Sequence, residues 1–190
     1  PKKEIAKRFA YENPRAMADL MEALVISSAD YLIGQAEAGA DVLKIFESWA
    51  EGLSPELFDR LVLNPTRDII TRIRKAGIDK PIIGFPRGAG LNAIRYAHET
   101  GITAIAAGTQ MPLDDFRCAI PENMPVQGNL DPLALRIGGD VLRKAVDRVL
   151  EDGKNGPHIF NLGHGVTPDV KIDNVQAVVN HIRGKEARYV

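Results

Sequence analysis

The sequence predicts an α/β fold built on a parallel sheet, and two observations carry that expectation. Helical segments alternate with short apolar runs along almost the whole chain, and each run is followed by a helical crossover, not a hairpin turn. Strands that are short and apolar throughout are those a parallel sheet buries on both faces. Ligands of such sheets bind at the carboxyl ends of the strands, whether the sheet is open or closed. The residues just after each run are therefore the informative ones.

Taken in order, Asn13-Pro14 starts a long helix whose Met17, Leu20, Met21, Leu24, Ile26, Tyr31 and Leu32 form a broad apolar face, closed by Ala38-Gly39-Ala40. Residues 42–46, VLKIF, read as the first strand. Ser54-Pro55 and Asn64-Pro65 each place a capping residue before a proline suited to the first helical position, so a broken pair of helices is expected up to Gly77. The second strand is 81–85, PIIGF, followed by a short helix over 89–100; the third is 103–108, TAIAAG. After a brief helical turn comes the fourth, 125–129, PVQGN. Asp131-Pro132 caps a helix in which Leu133, Ile137, Val141, Ala145 and Val149 recur every four residues, the spacing of one face. The fifth strand is 158–162, HIFNL, and Val175, Val178, Val179 and Ile182 mark a closing helix.

Composition sets limits on function. At 190 residues and 45% hydrophobic the chain can bury one sizeable core. Its 24 basic and 25 acidic residues leave a net charge of −1, which gives no electrostatic case for nucleic acid or an anionic membrane surface. No apolar stretch approaches the roughly 20 residues of a membrane span, and the single Cys118 has no internal disulfide partner. A cytoplasmic location is the expectation. The N-terminal PKKEIAKRFA shows neither a secretory nor a transit pattern and reads like the interior of a longer chain.

Among candidate motifs, 88-GAGLNA matches a dinucleotide-binding glycine pattern, but the acidic residue expected about 20 positions on falls at Gly108-Thr109, so a tight turn into a helix is the preferred reading, with Arg87 able to face an anion. Glu47, Glu51, Asp114 and Asp115 read as helix N-terminal carboxylates that complement the helix dipole, not as acid/base pairs. His98, His158, His181 and Cys118 lack zinc-like spacing, and no metal is expected. Ser48 stands just past the first strand. In 163-GHG, His164 sits between two glycines at the end of the fifth strand, where the backbone can approach a ligand closely.

Four segments, AGADVLKIFESWAEGLSP (38–55), FPRGAG (85–90), VQGNLDP (126–132) and HIFNLGHGVTPD (158–169), resemble in order and spacing the uroporphyrinogen decarboxylase family of haem biosynthesis. The resemblance runs to about residue 183 and corresponds to the C-terminal part of the family's chain. It implies the C-terminal five β/α units of a TIM-type (β/α)8 barrel, parallel strands with helical crossovers, and a single domain over 1–190. By the same resemblance, Ser48 matches a hydroxyl residue that contacts the porphyrinogen, Phe46 an aromatic of the pocket wall, and His164 a histidine that binds a substrate carboxylate side chain. The family's aspartate, arginine-rich loop and substrate-contacting tyrosine correspond to N-terminal segments that these 190 residues lack. The catalytic residues are thus expected outside this chain, which alone is expected to be inactive.

The implied reaction is cofactor-free decarboxylation of the four acetate side chains of uroporphyrinogen III to coproporphyrinogen III, by a homodimer. Two departures from the family's pattern stand out: Gly108-Thr109 where an aspartate and tryptophan are frequent, and Arg87 where lysine is frequent, which keeps the charge but changes the hydrogen-bond geometry. The competing expectations are a zinc-dependent corrinoid or thiol methyltransferase of the same superfamily, or a non-catalytic barrel fragment.

Overall fold

The computed structural model describes residues 2–186; Pro1 and residues 187–190, included in the expected 1–190 domain, lie outside the described residues. The elements are α1 (Lys2–Glu12), α2 (Pro14–Glu37), β1 (Leu43–Glu47), α3 (Pro55–Phe58), a π-helical turn (Asp59–Leu63), α4 (Asn64–Lys75), β2 (Ile82–Pro86), α5 (Asn92–Glu99), β3 (Ala104–Ala106), α6 (Leu113–Ala119), β4 (Val126–Leu130), α7 (Pro132–Ile137), α8 (Gly139–Asp152), a 3-10 turn (Gly153–Asn155), β5 (His158–Leu162) and α9 (Ile172–Glu186). The sheet order is β1-β2-β3-β4-β5. The β1–β2, β3–β4 and β4–β5 pairs are parallel, so the expected α/β class with helical crossovers is what the chain adopts. The described residues form two compact units, one ending at Ala104 and the other beginning at Ile105.

In the first unit α2 packs along α4, with Glu22 and Arg72 paired at 2.5 Å. The buried face of α2 carries Met17, Val25, Ala29, Leu32 and Ala36, and the last four recur at intervals of four, three and four. This corrects the expected face: Leu20, Leu24, Ile26 and Tyr31 are exposed. Alanines at 29 and 36 allow close approach of a neighbouring element, and a count of large apolar residues overlooks them. α1, to which no element was assigned on sequence grounds, closes a small cluster in which Ala10 meets Met17 and Leu57.

Ser54 caps α3 as expected, its hydroxyl accepting from the Leu57 N–H at 3.3 Å. Asn64 does not cap. Instead of a break, the chain widens into a π turn in which the Asn64 N–H reaches back to the Asp59 carbonyl. Proline at 65 can donate to no carbonyl of the preceding turn, and an i→i+5 turn just before it lets the helix continue.

β2 passes under α5 where Gly84 faces Tyr96. A Cβ at Gly84 would lie 2.5 Å from Tyr96 Cε1 and 3.0 Å from Ile102 Cγ2. The glycine makes room for a ring that is itself 0% exposed.

In the second unit Val126, Leu130, Leu142 and Val146 are buried. The expected single helix from Asp131 is two: α7, capped by Asp131 accepting from the Leu133 N–H at 2.8 Å, and α8, separated by Gly138 and Gly139 at φ 76° and 57°. Positive φ at two successive residues redirects the chain and resets the helical phase. Most of the expected face fails in consequence: Leu133, Ile137 and Val141 are exposed and Ala145 is half-buried, while Leu135, Leu142 and Val146 are buried; Val149 alone of the expected set is buried. Asn174 of α9 secures the break, donating to Leu135 O at 2.8 Å from the place a Gly138 side chain would occupy.

The outer strands also depart from expectation. β2, β3 and β4 are buried along most of their length, whereas β1 is buried only at Leu43, with Phe46 exposed, and β5 alternates between half-buried and exposed positions.

At the start of β5, half-buried His158 donates from Nε2 to Gly128 O at 2.7 Å. Burial holds its pKa below the usual histidine value, the Gly128 bond opposes this, and the Arg117 charge adds to it. The unfolded chain therefore takes up this proton first as pH falls through about 6.5, and folding free energy should decline from there down to the depressed folded pKa. Urea midpoints recorded between neutral and mildly acidic pH should show a drop that His158→Gln reduces.

Candidate functional site

Of the expected site residues, Phe46 and Ser48 lie in the first unit, at and just past the end of β1, and His164 lies in the second, just past β5. Phe46 is the penultimate residue of β1, 63% exposed, and its ring meets Phe85 of β2 edge-on, centroids 6.3 Å apart. The Lys44 ammonium lies 4.6 Å from the Phe46 centroid and 5.4 Å from that of Phe85, on the same strand face because it stands two residues from Phe46. Burial lowers the Lys44 pKa.

Ser48 is exposed in the turn that follows β1. Glu47 shapes that turn: its Oε1 accepts from the Trp49 N–H at 2.9 Å, and its carbonyl accepts from the Arg87 N–H at 3.0 Å. Across the turn the Arg87 side chain donates from Nε at 2.9 Å and Nη2 at 2.5 Å to the Ser48 carbonyl. Its guanidinium carbon lies 5.5 Å from the Trp49 ring centroid, and the Lys3 ammonium lies 5.0 Å from that same centroid.

Two of the expected helix-terminal carboxylates are here corrected. Glu47 ends a strand and Glu51 sits in the loop, paired with Lys3; the Lys3 hydrogen bond, then its charge, holds the Glu51 pKa low, burial opposes them, and the Arg87 charge assists. Asp114 and Asp115 do occupy the first turn of α6. The 88-GAG stretch is a tight turn, with Gly88 and Gly90 at φ 75° and 58°, and a Cβ at Gly88 would come within 2.6 Å of Glu51 Cβ.

In the second unit His164 is exposed after β5, its Nδ1 3.4 Å from Gly165 O. The glycines beside it serve different ends. A Cβ at Gly163 would lie 2.4 Å from the Thr109 backbone nitrogen, while Gly165 faces open space. Gly163→Ala should therefore destabilise the fold by about 1–3 kcal/mol, the usual cost of overpacking, and Gly165→Ala should leave the denaturation midpoint nearly unchanged; equal losses would contradict this geometry.

The 108–111 segment against which Gly163 closes is held by Asn129 Nδ2, donating to Gly108 O at 3.1 Å and Met111 O at 2.6 Å. Sequence reasoning did not single out Asn129. Its only local signal was an amide next to glycine at a strand end, which many turns share. This segment carries the Gly108-Thr109 departure, and its backbone packs directly against Gly163.

Among the described residues no three His, Cys, Asp or Glu side chains gather as a metal site requires; Cys118 is exposed on α6, and His181 pairs with Asp147 at 2.6 Å. No helix among them is long and apolar enough to cross a membrane.

Comparison with known proteins bears directly on these loops. The family model described as uroporphyrinogen decarboxylase matches residues 2–184. The chain is 51% identical over 176 residues to the uroporphyrinogen decarboxylase of Maricaulis maris, which covers 93% of this chain and 51% of that one. It is 48% identical over 181 residues to that of Caulobacter vibrioides, covering 95% and 51%, and 44% identical over 186 residues to that of Phenylobacterium zucineum, covering 98% and 54%. The chain thus spans about half the length of the curated relatives it matches. With a family match over nearly every described residue, Phe46, Ser48 and His164 included, this chain belongs to the uroporphyrinogen decarboxylase family.

Proposed function

We propose that these residues are the C-terminal portion, one domain of five β/α units, of a TIM-type barrel that converts uroporphyrinogen III to coproporphyrinogen III without a cofactor. The observation that carries this reading is the family match over residues 2–184, with strand-end turns at the matched motifs. In the reaction a pyrrole carbon is protonated to give an iminium-like electron sink. The bond between the acetate methylene and its carboxylate then breaks, carbon dioxide leaves, and the electron pair flows into the sink. Protonation of the exocyclic carbon and loss of the first proton give a methyl group. Each acetate consumes one proton net.

In this scheme Phe46 supplies an apolar wall, while the Ser48 hydroxyl and the His164 imidazole hold polar groups of the macrocycle's periphery. Both act in binding and orientation. Stabilising the developing cation calls for a buried carboxylate, which with the arginine-rich loop belongs to parts of the family's chain that do not match these residues. The enzyme is a cytoplasmic homodimer in this reading.

Anaerobic incubation of the full-length protein with uroporphyrinogen III, followed by chromatography of the oxidised products, tests it. Conversion through hepta-, hexa- and pentacarboxylate species is expected, and a folded protein that removes no carboxylate would overturn the reading. The 190-residue chain assayed by itself should show no turnover. Decarboxylation by that chain would place the cation-stabilising groups within it and sink the division of roles.

A further inference from the structure

We propose that Arg87 is the positioning residue for Ser48, clamping the Ser48 carbonyl through two N–H donors so that the Ser48 hydroxyl is presented to the substrate in one orientation. The inference rests on the functional reading above in taking Ser48 as a substrate contact. Ser48 is the first residue beyond β1 and stands exposed, so its local segment alone does not fix where the hydroxyl points. What fixes the turn comes from β2. The Arg87 N–H bonds the Glu47 carbonyl at 3.0 Å, and Nε and Nη2 both bond the next carbonyl, that of Ser48. Two successive peptide planes are thereby held by one residue.

Further contacts keep the guanidinium in place. It lies over the Trp49 ring, within a range where a cation is attracted to the ring face. The following residue, Gly88, turns at positive φ and brings the backbone against Glu51, whose charge Arg87 senses. A guanidinium fork delivers two donors to one oxygen while its carbon stays 5.5 Å from the indole centroid. A lysine ammonium at this position reaches the carbonyl as a point donor and loses the second bond. The arginine is thus matched to the geometry of this turn.

The test is a double-mutant cycle in the full-length protein, comparing wild type, Ser48→Ala, Arg87→Ala, Arg87→Lys and Ser48→Ala/Arg87→Ala, with kcat and KM measured for uroporphyrinogen III. Ser48→Ala removes the hydroxyl and leaves the carbonyl that Arg87 holds. If Arg87 acts through Ser48, each single change should raise KM by roughly five- to tenfold, as expected for one lost hydrogen bond, with kcat largely kept. The double variant should be no worse than Ser48→Ala, within about twofold, because coupled residues are not additive. Arg87→Lys should fall between wild type and Arg87→Ala.

Multiplicative losses in the double variant, or a fall in kcat at unchanged KM that merely reports less folded protein, would overturn the proposal. Unchanged kinetics in Ser48→Ala would overturn it together with the role of Ser48. A wild-type protein inactive on uroporphyrinogen would instead bring down the functional reading itself. Should Arg87→Ala not fold, Arg87→Lys measured with and without Ser48→Ala carries the same cycle.

Discussion

Replacing His164 by alanine in the full-length protein should lower kcat/KM for uroporphyrinogen by about one to two decades and cause species with five to seven carboxylates to accumulate. The magnitude follows from losing a hydrogen bond to a charged group, about 1.5–3 kcal/mol, at roughly 1.4 kcal/mol per decade. His164 is exposed on the turn after β5, where its imidazole is open to a ligand, and its Nδ1 lies 3.4 Å from Gly165 O. Loss of a group that only orients substrate weakens the grip on each successive intermediate without abolishing proton transfer. The first decarboxylation should therefore persist at saturating substrate while later ones lag. If the imidazole were the essential acid, the first step would collapse as well. An unchanged rate with an unchanged product profile would mean a solvated turn histidine with no part in binding.

Tyr96→Ala should cost about 3–5 kcal/mol, as for other large aromatic-to-alanine core changes, a large share of the roughly 5–15 kcal/mol by which domains are stable. The ring is fully buried and fills the space that Gly84 leaves on β2, with Ile102 beside it. Burial is the main cause that pushes the phenol pKa far above its ordinary value, and the Glu47 charge adds to the rise; the buried hydroxyl itself has no hydrogen-bond partner among the described residues. The hydroxyl therefore stays neutral across the working pH range and its own removal is a lesser matter. Tyr96→Phe, which removes only this unpartnered hydroxyl, should change stability by less than about 1 kcal/mol. Urea unfolding of the two variants should give well-separated midpoints with similar slopes; equal losses would show that the hydroxyl, not the ring volume, holds α5 to β2.

Several elements were legible because their causes lie within a few residues of one another. Ser54-Pro55 and Asp131-Pro132 specify helix starts since a side-chain oxygen reaches an N–H two or three residues on, and HIFNL forms a strand over the bounds read from its apolar pattern. The four motif segments were equally legible in sequence, and the family match covers them all. Asn64-Pro65 carries the same local signal as Ser54-Pro55 and yet lies within a continuous helical run, because a π turn before it absorbs the missing proline N–H. The face read from residues 133 to 149 fails for a related reason, since periodicity presumes an unbroken helix and Gly138-Gly139 breaks it.

By itself, then, the sequence determined the α/β class, the parallel strands, the helix starts at Pro14, Pro55 and Pro132, and the positions of Phe46, Ser48 and His164 past or at strand ends. Only the tertiary structure decided why Gly163 must be glycine while Gly165 need not be, which part of α2 is buried, and that the Arg87 guanidinium closes on the Ser48 carbonyl 39 residues away. The division is physical. Caps, turns and hydrophobic periodicity are governed by neighbours along the chain, whereas the free space beside a Cβ and the partner of a guanidinium depend on backbone that only packing brings near.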